Sequence, residues 1–235
     1  MNFFNSVINF FKDGGFFLYP LALIFVVGVS IAVERYVYLT RETIRNRGLW
    51  DELVPALSNG NFKQVVALTQ NSKASIATIL NYGVARVASA RRRDDIEKAM
   101  DESLLEVIPR IEKRTHYLSS LANVGLLIGL LGTIIGLISA FSAVATANPA
   151  EKASLLAAAI SVAMNNTASG LGVAITLLLS HMFLESKTTS LIDSLEIASV
   201  KFLNSITERQ HEPAAAPQTT APAARAPAAA ARSSI

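Results

Sequence analysis

The chain has 235 residues, a formal net charge of +3 and no cysteine, which excludes disulfides, thiolate metal sites and a thiol nucleophile. Half of its residues are hydrophobic (51%) and only 17% are charged, and its mean hydropathy is positive. That balance excludes an ordinary soluble domain and fits a membrane protein with a polar portion. Its basic residues lie mostly beside apolar runs or among acids, so no nucleic-acid-binding pattern emerges.

Residues 1–15 carry phenylalanines at Phe3, Phe4, Phe10 and Phe11, a spacing that suits a short helix lying at a membrane interface. Gly14 and Gly15 end it. Residues 16–33 are free of charge, with Phe16, Phe17 and Tyr19 as interfacial anchors, and form the first expected span. This segment lacks the basic start and small-residue cleavage site of a signal peptide, so it is expected to be retained.

Residues 34–117 are polar and helical in pattern, and contain fourteen of the chain's twenty-one Lys and Arg. Arg35 to Arg47 and Arg110 to Arg114 flank membrane segments, so the positive-inside rule places this loop in the cytoplasm and the N-terminus outside. Short helices are expected over Trp50–Leu57 and Phe62–Leu68, split by the turn cluster Ser58-Asn59-Gly60. A third covers Ile76–Val87. Asp94 can cap a fourth, whose stripe is Ile96, Met100, Leu104, Val107 and Ile111. Pro109 can kink that helix, which otherwise runs uninterrupted into the second span.

The second span covers 118–144, the external turn 145–154 and the third span 155–183. An apolar pattern at Leu191, Leu195, Ala198, Phe202 and Ile206 continues the last helix through 184–210. At 1.5 Å per residue, about 50 residues of helix reach roughly 75 Å, more than twice the hydrocarbon thickness. The expected fold is therefore all-α, with three transmembrane helices, the second and third extending into a cytoplasmic helical bundle. Residues 211–235 are rich in Ala and Pro without periodicity and read as disordered.

No catalytic constellation, phosphate loop or metal-ligand spacing appears, and the three histidines, His116, His181 and His211, are scattered. Neither an enzyme nor a cofactor site is expected. Gly125, Gly129, Gly132 and Gly136 are spaced 4, 3 and 4 and so share one face of the second span, as close helix packing in lipid requires, within the chain or with a neighbour. Thr133 lies beside that stripe. Asn165, Asn166, Thr167 and Ser169 bring polar groups to the middle of the third span, where lipid leaves them unsatisfied. Thr133, Asn166 and Thr167 are the candidates for an ion path. Between Asn123 and Ser180 the only charged residues are Glu151 and Lys152, in the turn. Proton transfer through a membrane needs a titratable group there, so if this chain conducts protons a partner chain has to supply the acid.

The segment Gly129-Leu130-Leu131-Gly132-Thr133 with Gly136, followed by Thr167-Ala168 and Gly170-Leu171, resembles the ExbB/TolQ/MotA family of ion-driven motor stators. Tyr19-Pro20, Glu34-Arg35 and the three-span order resemble its ExbB/TolQ branch. The resemblance implies a homopentamer in the bacterial inner membrane, with the N-terminus periplasmic and the C-terminus cytoplasmic. The ring encloses single transmembrane helices of an ExbD- or TolR-like partner. An aspartate on the partner helix carries the proton past Thr133 and Thr167, and the motion energises a TonB- or TolA-like protein. The chain departs from the family's common pattern at Val162, Thr176 and Leu126, where a glutamate, a proline and a proline are frequent; a different ion, gating or client is left open. Two further readings stand beside the proton stator. The Asn165–Ser169 oxygens suit a sodium-driven stator, and the helical bundle alone suits a structural membrane scaffold.

Overall fold

A computed structural model describes residues 15–87 and 92–211, with side chains through residue 206. The expected interfacial helix in 1–15 and the disordered tail in 211–235 fall almost wholly outside the described residues. The fold is an all-α membrane protein of six described helices: α1 (Leu18–Ser58), α2 (Phe62–Gln70), α3 (Ser75–Val87), α4 (Arg93–Glu112), α5 (Thr115–Thr146) and α6 (Lys152–His211). Three stretches are long and apolar enough to cross a membrane: within α1, within α4–α5, and within α6.

The helices divide into two packing regimes. Outside the membrane-crossing stretches, one core gathers Leu39, Leu53 and Leu57 of α1, Val65 of α2, Ile79 and Leu80 of α3, Met100 and Val107 of α4, and Leu195 and Phe202 of α6. Each fully buried side chain of this kind contributes about 1.5–3 kcal/mol relative to exposure. The helical stripes expected in α4 and α6 supply this core, although Leu104 is only partly buried. Within the membrane stretches the shared core shrinks to Ile24, Ala122, Ala174 and Leu177, while Leu127, Ile138, Phe141, Met164 and Leu179 are more than 60% exposed. Lipid gives no hydrophobic drive between helices, so contact there depends on small residues and close approach.

Three features depart from the pattern read along the chain. The Trp50–Leu57 helix is not separate, because α1 runs unbroken from the first span through Ser58, and the turn at Asn59-Gly60 follows, with Gly60 at φ +68°. Asp94 does not cap α4; the N-cap is Arg92, and Asp94 and Asp95 lie in the first turn, where carboxylates complement the helix dipole. The approach to the second span is not continuous either. α4 ends at Glu112, and Arg114 adopts a left-handed backbone with φ 70°, sparsely populated for a residue with a Cβ. Pro109 sits inside α4 rather than at the break.

Two neighbours from α1 hold that joint. Arg35 is buried and donates from its guanidinium to the Ile111 carbonyl, one of the acceptors a helix end leaves free. Glu34 accepts from Arg114 Nη1 at 2.7 and 2.8 Å. Burial lowers the Arg35 pKa from its ordinary value, with Tyr38 and Glu34 opposing the shift. Further along α1, the buried Glu42 accepts from the Ser75 amide at 2.7 Å and the Ser75 hydroxyl at 2.6 Å, and Asn46 Oδ1 accepts from the Ile76 amide at 3.1 Å. Side chains of one helix thus cap the start of α3. Glu42→Ala leaves the Ser75 amide and hydroxyl without this acceptor and is expected to cost about 1.5–3 kcal/mol; an unchanged thermal melt in detergent would contradict this.

Candidate functional site

The centre of the molecule is the antiparallel pair of α5 and α6. Ala147 leaves α5 in extended conformation, Pro149 follows, and Glu151 N–H closes the turn on the Asn148 carbonyl at 3.0 Å. The two helices then cross with almost nothing between them. A Cβ added at Gly129 would lie 2.8 Å from the Gly170 Cα and 3.0 Å from the Asn166 carbonyl oxygen, and one added at Gly170 would lie 2.8 Å from the Gly129 Cα. Backbone meets backbone here, so no side chain can swing away to make room.

The rest of the stripe follows the same interface. Gly125 faces Val173, Gly132 faces Asn166 and Phe17, and Gly136 faces Ala163. The glycines therefore pack within this chain, against α6. Two partners are less apparent in the sequence. Gly170 completes the crossing from the other side, and Gly28 of α1 receives Leu177, whose Cδ2 would lie 2.5 Å from an added Cβ.

This register sets the heights of the candidate residues. Gly132 opposite Asn166 and Gly136 opposite Ala163 bring Thr133 and Thr167 within about one turn, 5.4 Å, of the same level. At about 100° per residue, Thr133 lies at the edge of the glycine face and Thr167 at the edge of the Ala163–Gly170 face. In an antiparallel pair of right-handed helices those two edges form the same flank. Both threonines are partly exposed there. Thr133 Oγ1 donates back to the Leu130 carbonyl at 2.6 Å, which leaves its lone pairs free to accept.

Asn166 occupies a different place. It is buried, 3% exposed, against Gly132 in the helix interface, and its Oδ1 has no hydrogen-bond partner among the described residues. The neighbouring Ser169 hydroxyl donates to the Asn165 carbonyl at 2.6 Å. Thr176 donates to the Gly172 carbonyl at 2.8 Å, and Val162 lies beside Gly15. Among the described residues no group of acids, histidines or cysteines is arranged to hold a metal ion.

The closely packed α5–α6 pair thus presents two partly exposed hydroxyls at about one height. The sequence comparisons point to one family. The profile of the MotA/TolQ/ExbB proton channel family matches residues 71–197. A biopolymer transport protein ExbB homolog of Methanothermobacter thermautotrophicus is 25% identical over 199 residues, 84% of this chain and 69% of its own length. The biopolymer transport protein exbB1 of Vibrio cholerae is 29% identical over 163 residues, 68% of this chain and 71% of its own. An ExbB-like biopolymer transport protein of Synechocystis is 26% identical over 172 residues, 72% of this chain and 81% of its own.

Proposed function

This chain belongs to the MotA/TolQ/ExbB proton channel family, and from that premise we propose that it is the stator subunit of a proton-driven motor in the bacterial inner membrane. Copies of the chain, five by the family resemblance, enclose single transmembrane helices of an ExbD- or TolR-like partner. An aspartate on the partner helix carries the proton, and the resulting motion energises a TonB- or TolA-like protein. The concentration of Lys and Arg in 34–117 supports a cytoplasmic bundle and a periplasmic N-terminus.

The observation that carries this reading is the pair Thr133 and Thr167, on one flank at one height of a membrane helix pair without an acid of its own. Thr133 has its hydroxyl proton engaged and is suited to accept from a protonated carboxyl or a water. Thr167 is suited to donate to the carboxylate. An acid moving past them meets an acceptor in one protonation state and a donor in the other. Asn166 is a positioning residue in this scheme: it wedges against Gly132 and sets the spacing of the two helices. Asn166 Oδ1 is shut in the helix interface rather than open to the flank, so it adds little to an oxygen cage for a hard cation there, which favours protons over sodium.

The chain, isolated from its native membranes in mild detergent, is expected to bring down a small one-span protein whose membrane helix contains an aspartate. Recovery of an assembled oligomer without any such companion would sink the stator reading and leave a membrane scaffold in its place.

A further inference from the structure

The joint between α4 and α5 faces α6 across a cleft of about 250 Å³ lined by Glu112, Thr115, His116, His181, Glu185 and Thr188. Two of the three histidines in the chain therefore meet in one place, although they lie 65 residues apart in sequence. His181 Nδ1 is 3.4 Å from Glu185 Oε2. Thr115 and Thr188 are 6% and 5% exposed, and their hydroxyl oxygens have no hydrogen-bond partner among the described residues. Buried hydroxyls left unpaired beside a polar cleft need a small hydrogen-bonding ligand, and water fits that volume and chemistry.

The placement of the cleft gives it a use. Thr115 precedes Thr133, and Glu185 follows Thr167, by five helical turns, about 27 Å, so each lies in line with its threonine on the same flank. Thr133 is near the middle of α5 and Thr115 is its first residue, which puts the cleft at the membrane boundary. Within α5, His116, Ser119 and Asn123 recur at i, i+3 and i+7, a short polar stripe on one helical face that begins at the cleft, and Glu112 reaches the cleft from the end of α4.

We propose that this cleft is a proton-exchange site at the cytoplasmic mouth of the ion path. This deepens the stator reading and rests on it. A hydronium ion gives its proton to a histidine nitrogen, leaving water; the imidazolium formed is held by Glu185 or Glu112; the proton then passes to another water in the cleft, restoring neutral histidine. Histidine is the side chain suited to this exchange near neutral pH. The other charges around the joint are engaged elsewhere: Arg35 of α1 donates to the Ile111 carbonyl, Arg114 pairs with Glu34, and Lys187 of α6 donates to Thr40 at 2.6 Å. Lys113, in the joint itself, is exposed.

The test is proton flux in everted membrane vesicles containing the full complex, followed by a pH-sensitive dye from about pH 5 to 8. The double variant His116→Gln/His181→Gln is expected to lower flux at neutral pH by about fivefold or more and to flatten its pH profile. Glu185→Gln, at a side chain that is 65% exposed, is expected to shift the same profile, and it carries the test if the double variant assembles poorly. Flux within about twofold of the parent, with an unchanged profile, overturns the exchange site. In that case Thr133→Val in parallel vesicles separates the two readings: lost flux leaves the ion path standing, and retained flux removes it as well.

Discussion

Gly129→Leu is expected to abolish the assembled protein. The closest approach of α5 and α6 is backbone to backbone, with a Cβ at Gly129 only 2.8 Å from the Gly170 Cα. Ordinary carbon–carbon contact lies at about 3.5–4.0 Å, so even the first added carbon drives the helices apart. Gly129→Ala is then expected to cost about 1–3 kcal/mol. Leucine adds three further carbons and breaks the register that places Gly125, Gly132 and Gly136 against α6. By contrast, Gly48 of α1 has nothing within 4 Å of an added Cβ. Gly48→Ala is expected to be neutral or to stabilise by about 0.5–1 kcal/mol through helix propensity. Fluorescence-detected size exclusion and thermal melting in detergent read both. A Gly129→Leu protein with the parent's elution volume and melting temperature would refute the close crossing.

Thr133→Val and Thr167→Val are each expected to yield an assembled complex that conducts poorly. Valine keeps the shape of threonine and removes only its hydroxyl, and neither residue lies in the fully buried helix interface. A hydrogen bond to an ionised group is worth about 1.5–3 kcal/mol, which corresponds to roughly 10- to 150-fold in rate. The flux loss should fall in that range, with co-purification of the partner unchanged. Thr133→Ser and Thr167→Ser restore the hydroxyl and are expected to recover most of it. Asn166 provides the contrast: as a buried wedge against Gly132, its substitution should lower melting temperature and flux together. If both valine variants conduct like the parent, the threonines have no part in the path.

The sequence alone determined the membrane class, the three spans and the long helical extension, because each depends on runs of composition or on a period of 3.6 residues. It also singled out the glycine stripe, since spacing of 4, 3 and 4 on one helix puts residues on one face whatever that helix touches, and Thr133, Asn166 and Thr167, as polar groups inside apolar runs. Only the tertiary structure decided what those faces meet. Gly170 and Gly28 carry no stripe of their own and become legible only opposite Gly129 and Leu177. Asn166 and Thr167 are neighbours in sequence, yet a rotation of about 100° sends one into the interface and leaves the other on the flank. His116 and His181 looked scattered because antiparallel folding, which local spacing does not encode, is what brings them to one cleft. The break at Arg114 left no sign in the sequence: a left-handed residue without glycine depends on Glu34 and Arg35, eighty residues away in the chain, to hold it.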